Sequence, residues 1–427
     1  MPSNDVDNGV AEIHGMNTLT KIFAVCFLVT MMACQGSTPD VDDEGRVLSH
    51  GTPESAGFSA ERLAQAVAIM KHAVDERRIT GVQLLVARHA RVVVHEALGL
   101  RDLDQQLPME KNTLLRMASV SKTVVATGVL MLANQGRLNI SDPVSKYLPG
   151  FSEGLSAKLT VRDLLRHTTG FPYTYDNYIG DITMESEEYP DAPSLRVEAI
   201  KIGKVGPELE PGTRCQYTNR GYTVLGGVLE VVAGQKLDDF LHEQLYSPLG
   251  MTDTSHDLYG VDPERLSLTY QRNGEQWDIL PPETPPFARS TGGLVTTAWD
   301  YAKYTQMYLN NGQYGSDRFL QPEIVDEATS VQTECSHLYV GPELVRELGI
   351  TPMWYYVRDR RARGIDLGYG LGWAVASNGV FTHGGFRGTF VLVDPEADMI
   401  ILIFAQSRVG GTPGQDFIDA VYDAIQE

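Results

Sequence analysis

Residues Ser119–Gln135 have the sequence SVSKTVVATGVLMLANQ, which combines a Ser-x-x-Lys pair with a long apolar run. From Val120 onward the segment is apolar nearly all round, and it ends at Gly136, a residue typical of the position just after a helix. Such a segment predicts a helix that is buried on every side. Ser119 and Lys122 stand three residues apart at its start and therefore share one face of the helix.

This Ser-x-x-Lys pair predicts an activated nucleophile. Burial disfavours the charged form of a lysine, so the pKa of Lys122 falls and its amine can accept a proton. A serine beside such a base is a nucleophile, and a helix N-terminus favours a developing oxyanion. The alternative is a solvated Ser and Lys at a helix start, which the apolar flanks of Lys122 disfavour.

Composition excludes several functional classes. The chain has 427 residues, of which 42% are hydrophobic and 21% charged, as is usual for a globular protein. Lys and Arg total 35 against 55 Asp and Glu, a net charge of −20, which argues against a nucleic-acid partner. The histidines and cysteines lack the spacing of a metal site, so we expect no metal and no organic cofactor.

The segments around this helix predict an α+β fold. Strand-like runs occur near both chain ends, and the middle of the chain is mostly helical. We expect one antiparallel sheet built from both ends and flanked by helices, with a mostly helical lobe inserted over about 119–290. The strand-like runs are 81–88, 91–97, 370–377, 388–394 and 398–406, and helices are predicted over 58–74 and 415–426.

The N-terminus resembles an export signal. Lys21 precedes the apolar run Ile22–Ala33, which is too short to span a bilayer comfortably but has the length of a signal-peptide core. We therefore interpret residues 1–33 as a signal region and expect Met16 to be the true start.

Cys34 follows the small residue Ala33, as in a bacterial lipoprotein signal, and we expect Cys34 to be lipidated; an ordinary cleaved signal is the alternative. Residues 34–55 are polar and rich in Gly and Pro and predict a flexible tether to a domain over 56–427. The expected location is the periplasm or the lipid surface of a bacterial cell envelope, with membrane contact only through that anchor.

Two further motifs carry a family resemblance. They are Tyr217-Thr218-Asn219, which follows a Pro-Gly turn and precedes a Gly-rich apolar helix, and His383-Gly384-Gly385, which begins a Gly-rich strand. With Ser119–Lys122 they resemble the three motifs of the serine β-lactamase and penicillin-binding-protein family, on the class C side with its esterase and D-aminopeptidase-like members. The resemblance covers about residues 55–425 and implies the β-lactamase/transpeptidase-like fold.

The resemblance also implies roles for the site residues. Tyr217 would relay protons together with Lys122, and Asn219 would bind the substrate carbonyl or acyl group. The strand at His383, Gly384 and Gly385 would bind substrate. Family geometry places the two oxyanion-binding N–H groups at Ser119 and Phe386.

The substrate class stays open between a few alternatives. Where the motif has His383, relatives often have a lysine that binds a substrate carboxylate, so carboxylic esters are our first expectation. A β-lactam, a D-amino-acid amide or a D-peptide is the second. A catalytically silent peptidoglycan-binding or sensing protein is the third. The chain has no Gly-x-Ser-x-Gly, which disfavours an α/β-hydrolase, and the sequence does not decide whether Cys215 and Cys335 pair.

Overall fold

The computed structural model describes residues 45–172, 193–256, 261–281, 285–335, 367–407 and 413–426.

Helices and strands alternate with short loops through these residues. The helices are α1 (Ala60–Asp75), α2 (Ser121–Asn134), α3 (Val161–Leu165), α4 (Leu195–Val205), α5 (Asn219–Ala233), α6 (Leu237–Leu241), α7 (Ala298–Leu309), α8 (Pro322–Ala328) and α9 (Pro413–Asp423). The strands are β1 (Ser49–His50), β2 (Gly81–Arg88), β3 (Arg91–Asp102), β4 (Leu107–Pro108), β5 (Leu115–Arg116), β6 (Ser255–His256), β7 (Thr269–Asn273), β8 (Gln276–Leu280), β9 (Leu294–Thr296), β10 (Gln313–Tyr314), β11 (Asp317–Arg318), β12 (Thr333–Glu334), β13 (Leu367–Tyr369), β14 (Ala374–Ala376), β15 (Phe381–Gly385), β16 (Thr389–Asp394) and β17 (Met399–Ala405).

The main sheet joins the two ends of the chain, as the sequence predicted. Its strand order is β1-β3-β2-β17-β16-β15-β14-β13-β12, with β4 paired to β3. Antiparallel pairing of β17 with β2 brings the C-terminal strands beside the N-terminal hairpin. All neighbours in this sheet are antiparallel except β1 and β3, which run parallel. The α+β expectation is confirmed, and the parallel edge strand was not foreseen.

Strand β17 is buried on both faces, which explains its unbroken apolar sequence. Alternate side chains of a strand point to opposite faces of the sheet. Ile401 and Ile403 pack into the core that contains α1 and α9. Leu402 and Phe404 pack into the core on the other face, where the ring of Phe404 meets Tyr301 of α7 edge-on at 5.6 Å. Burying each such side chain contributes about 1.5–3 kcal/mol, so β17 holds both layers on one sheet.

Helix α2 is buried along almost its whole length, as its sequence predicted. Two of its polar side chains, Thr123 and Thr127, contact tyrosines of α7. Thr123 Oγ1 lies 2.7 Å from the Tyr301 hydroxyl, and Thr127 Oγ1 lies 2.8 Å from that of Tyr304 and 2.7 Å from that of Tyr308. These hydroxyl contacts fix α2 against α7, and with it the position of the residues at the start of α2.

The predicted tether extends less far than the sequence suggested. Residues 45–55 are packed on the domain, whereas the tether was predicted to reach residue 55. Ser49–His50 pairs with β3, Leu48 is buried, and the Arg46 guanidinium binds both carboxylate oxygens of Asp398. The reason is that the edge of β3 offers unpaired backbone groups to a passing segment.

Several N-terminal predictions lie outside the described residues, namely the signal region 1–33, Cys34 and most of the tether. Within the described ranges, no helix is both long and apolar enough to cross a membrane.

Candidate active site

Ser119 lies in a tight turn immediately before α2. The turn is a single 3-10 turn, Ala118–Val120, and Ala118 adopts a left-handed φ of 47°. Such a conformation costs a residue with a Cβ of the order of 1 kcal/mol and persists only where neighbouring structure imposes it. The strain therefore indicates that the surroundings of Ser119 hold its backbone firmly.

Hydrogen bonds from three directions hold this backbone. The Gln406 side chain accepts from the Arg116 N–H at 3.2 Å and donates to the Arg116 carbonyl at 3.0 Å, as a neighbouring strand would. The Met117 N–H donates to the Leu294 carbonyl at 2.9 Å, and the Thr389 hydroxyl donates to the Met117 carbonyl at 3.0 Å. The main sheet and β9 thus fix the position of the backbone at Ser119. Sequence analysis missed Gln406 and Thr389, since no local pattern marks them.

Lys122 lies next to Ser119, as the sequence predicted for a base. It is fully buried, and its Nζ lies 3.1 Å from Ser119 Oγ. The amine also donates to the Thr291 carbonyl at 3.1 Å. Burial lowers the pKa of Lys122 from 10.5 to about 7, so a large fraction of the amine is neutral at neutral pH. A neutral amine at this distance can take the hydroxyl proton of Ser119.

Tyr217 lies beside this pair. Its ring centroid is 4.9 Å from Lys122 Nζ, and that of Tyr222 is 5.8 Å away. Ring faces stabilise a nearby ammonium, so both tyrosines partly offset the burial that favours the neutral amine. Tyr217 is half-buried. The structure thus brings Tyr217 next to Ser119 and Lys122, and its proton-relay role stays a prediction.

Tyr-x-Asn also occurs at Tyr175–Asn177 and Tyr308–Asn310. Tyr308 is buried in α7, where its hydroxyl contacts Thr127. The match that begins at Tyr175 lies outside the described residues.

His167 forms a platform beneath Tyr217. The two ring centroids lie 4.3 Å apart. His167 Nδ1 accepts from the Thr218 N–H at 3.3 Å, and its carbonyl accepts from the Gln216 N–H at 2.8 Å. Burial, followed by the charge of Lys122 when it is protonated, keeps the pKa of His167 well below its ordinary value, so the ring is neutral. His167 thus supports the backbone on both sides of Tyr217.

His383 also lies inside the protein. Its Nδ1–H donates to the Gly384 carbonyl at 3.0 Å, and its Nε2 lies 3.3 Å from the Tyr369 hydroxyl. Burial, and then the nearby Lys122 charge, lower the pKa of His383 to about 3. The imidazole is therefore neutral near pH 7. Its contact with substrate stays a prediction. The neutral ring supplies no positive charge to the site.

Gly384 and Gly385 end strand β15 next to the turn Ala118–Val120, which carries Ser119. A Cβ added at Gly385 would overlap the Met117 carbonyl oxygen and would lie 3.2 Å from the Ala118 Cβ. Only glycine allows so close an approach. Strand β15 therefore lies directly against the turn that carries Ser119.

Phe386 and Asn219 complete the predicted set. Phe386 follows β15 directly, and its side chain is 39% exposed. Because Gly385 touches Ala118, the N–H groups of Phe386 and Ser119 belong to adjoining backbone segments, as an oxyanion-binding pair requires. Asn219 is the first residue of α5 and is half-buried. Their roles toward substrate stay predictions.

A disulfide joins Cys215 to Cys335, a pairing that the sequence left open. The two Cα atoms are 5.4 Å apart. Cys215 precedes Tyr217 by two residues, so the bridge lies at the site. In the described parts of the chain, no group of three or more His, Cys, Asp and Glu side chains is placed to hold a metal ion.

Comparison with known families agrees with this geometry. A model of the beta-lactamase family matches residues 66–424, most of the chain. The chain belongs to the beta-lactamase family. Its fold is the β-lactamase/transpeptidase fold, and it is a serine hydrolase of this family, as its three motifs predicted.

Individual relatives cover a range of chemistry. A protein of Escherichia coli K12, named provisionally as a D-alanyl-D-alanine carboxypeptidase, is 27% identical over 84% of this chain and 85% of its own. The structure of EstCE1, described as a hydrolase with promiscuous acyltransferase activity, superposes with a TM-score of 0.67 at 23% identity, over 85% of this chain and 99% of its own. Simvastatin synthase from Aspergillus terreus superposes with a TM-score of 0.64 at 21% identity, over 88% and 98%. At these identities the two structures show the fold alone.

In this beta-lactamase-family site, the burial of Lys122 reduces stability in a pH-dependent way. The shift from 10.5 to about 7 corresponds to about 5 kcal/mol of destabilisation below pH 7, where Lys122 is protonated in both the folded and the unfolded chain. Between pH 7 and 10.5 the unfolded chain binds one proton more than the folded chain, so stability rises with pH.

We predict that Lys122→Met unfolds at higher urea than the parent at pH 6, because the buried charge is gone. Its advantage in unfolding free energy shrinks by about 3 kcal/mol between pH 7 and pH 9, since the parent gains about 1.4 kcal/mol per pH unit. Lys146→Met is the matched control, because Lys146 is exposed; its difference from the parent should not drift over this range. An advantage of Lys122→Met that is constant with pH would contradict the lowered pKa.

Proposed function

We propose that this serine hydrolase cleaves carboxylic esters through an acyl-enzyme on Ser119. The neutral, buried imidazole of His383 carries the proposal. The lysine found at this position in relatives would bind a substrate carboxylate, and β-lactams and C-terminal peptides carry one. His383 offers no charge and directs both ring nitrogens at protein atoms. A neutral ester needs no such charge.

The reaction begins when Lys122 takes the proton of Ser119 and the Ser119 oxygen attacks the ester carbonyl. The N–H groups of Ser119 and Phe386 bind the oxyanion that forms. As the intermediate collapses, Lys122 and Tyr217 return the proton to the leaving alkoxide. Water then attacks the acyl group on Ser119, with the same residues managing its proton, and releases the acid.

Hydrolysis of β-lactams or D-peptides is the second candidate. Arg387 lies in the turn between β15 and β16, directly after Phe386, and under this second candidate its guanidinium would bind the substrate carboxylate. The name of the Escherichia coli relative also favours it. In that case Arg387→Gln lowers the kcat/KM of a cephalosporin more than that of an ester.

The test compares a short-chain aryl ester with a chromogenic cephalosporin on the same preparation. We expect ester turnover, with cephalosporin turnover far slower, and a fall of at least about a thousandfold in ester kcat/KM in Ser119→Ala. Ser55→Ala is the matched control and should keep full ester turnover, because Ser55 is exposed and its hydroxyl binds the nearby Thr52 carbonyl.

Faster cephalosporin turnover would reverse the order of the two candidates. Ester turnover that survives in Ser119→Ala would contradict the nucleophile. No turnover of either substrate would favour a silent binding or sensing protein.

We further propose that the chain is exported to a bacterial cell envelope and anchored there through a lipid on Cys34. The apolar run Ile22–Ala33 supports export, and so does the Cys215–Cys335 bridge, since disulfides persist in oxidising compartments.

We predict that the full chain expressed in a bacterium fractionates with membranes and incorporates labelled fatty acid. Cys34→Ala should abolish the label, because that thiol is the acceptor, while Cys26→Ala keeps it. Label retained in Cys34→Ala, or protein confined to the cytosol, would contradict the proposal.

A further inference from the structure

The Cys215–Cys335 disulfide lies directly behind Tyr217. Both cysteines are buried, and they form a small apolar cluster with Tyr369 and Ala374. Tyr217 packs against this cluster. The bridge is therefore part of the surface that holds the proton-relay tyrosine in place.

The bridge connects two distant parts of the chain, 120 residues apart. Cys215 lies in the segment that leads into α5. Cys335 directly follows β12, at the edge of the main sheet, and the neighbouring strand β13 carries Tyr369, whose hydroxyl contacts His383. The disulfide thus ties the segment of Tyr217 to the sheet that carries the His383 motif.

The same segment has a second restraint on its other side. The backbone N–H groups of Gln216 and Thr218 both bind His167, at its carbonyl and at its ring. His167 holds the backbone near Tyr217 on one side, and the wall on the sheet side consists of the bridge and its cluster. Ser119 and Lys122 are held by other contacts, those of Gln406, Thr389 and Thr291.

We propose that the Cys215–Cys335 disulfide is a redox-sensitive positioning element for Tyr217, so that breaking it slows acyl transfer while the Ser119–Lys122 pair stays in place. The proposal rests on the esterase function proposed above. Reduction by a dithiol transfers two electrons and two protons to the bridge, giving two thiols, and the dithiol becomes a disulfide. Tyr217 then loses its fixed distance to the reacting atoms, and a displacement of about 1 Å can cost up to about a hundredfold in rate.

The experiment measures kcat, KM and the pH profile of aryl-ester hydrolysis by the full chain in three states: oxidised, reduced with dithiothreitol, and carrying Cys335→Ala. Each state is also prepared with Tyr217→Phe. We expect loss of the bridge to lower kcat about tenfold or more, with KM changed less than about twofold and the pH profile altered. In the Tyr217→Phe background the same loss should change the residual kcat less than about twofold, because the group being positioned is absent.

Two controls separate this effect from others. Dithiothreitol should not affect Cys335→Ala, which has no bridge to reduce, and mass spectrometry confirms reduction in the parent. An equal loss of kcat with and without Tyr217→Phe would show a merely structural bridge and would overturn the proposal, as would an unchanged kcat in the reduced parent. Failure of the proposed function would give a different result. The oxidised parent would then hydrolyse no ester, or its Ser119→Ala variant would hydrolyse the ester as fast as the parent does.

Discussion

The burial of one amine is the constraint on which the site depends. Lys122 lies in a helix that is buried along almost its whole length, and this burial lowers the pKa of Lys122 to about 7. Ser119 gains a largely neutral amine at 3.1 Å, and below pH 7 the fold loses stability of the order of 5 kcal/mol. Two features hold the surroundings of Lys122 in place. They are the buried threonine–tyrosine contacts between α2 and α7 and the packing of β17 on both faces of the sheet.

Three backbone segments converge around this amine, and each is held by different means. The turn at Ser119 is fixed by side chains of the sheet and by β9. The segment of Tyr217 is held by His167 on one side and by the disulfide cluster on the other. Strand β15 approaches the nucleophile turn through Gly385. The third segment carries a neutral His383, and the proposed preference for esters rests on this observation.

Residues that interact within one helix or strand were predictable from the sequence. The spacing of Ser119 and Lys122 fixes their proximity, and the unbroken apolar run of β17 indicates a strand buried on both faces. The positions of Tyr217 and His383 came instead from family resemblance, since no local pattern brings segments 95 or more residues away to Lys122.

Contacts between distant segments could not be predicted in this way. Gln406 mimics a neighbouring strand for Arg116, and Thr291 receives the Lys122 amine through a backbone carbonyl, which any residue has. The Cys215–Cys335 pairing depends on a sheet edge whose position sequence does not give. The tether was predicted to be longer than it is, because Leu48 and Arg46 look like linker residues until β3 and Asp398 are placed beside them.

The most direct test of the account is the pKa of Lys122 itself. Carbon-13 NMR of the chain with lysine labelled at Cε, titrated from pH 5 to pH 11, reports each amine separately, and the resonance that is missing from Lys122→Met identifies Lys122. We predict a titration midpoint near pH 7 for that resonance. A midpoint near the ordinary lysine value of about 10.4 would show a charged Lys122 at neutral pH and would contradict its role as the base that activates Ser119.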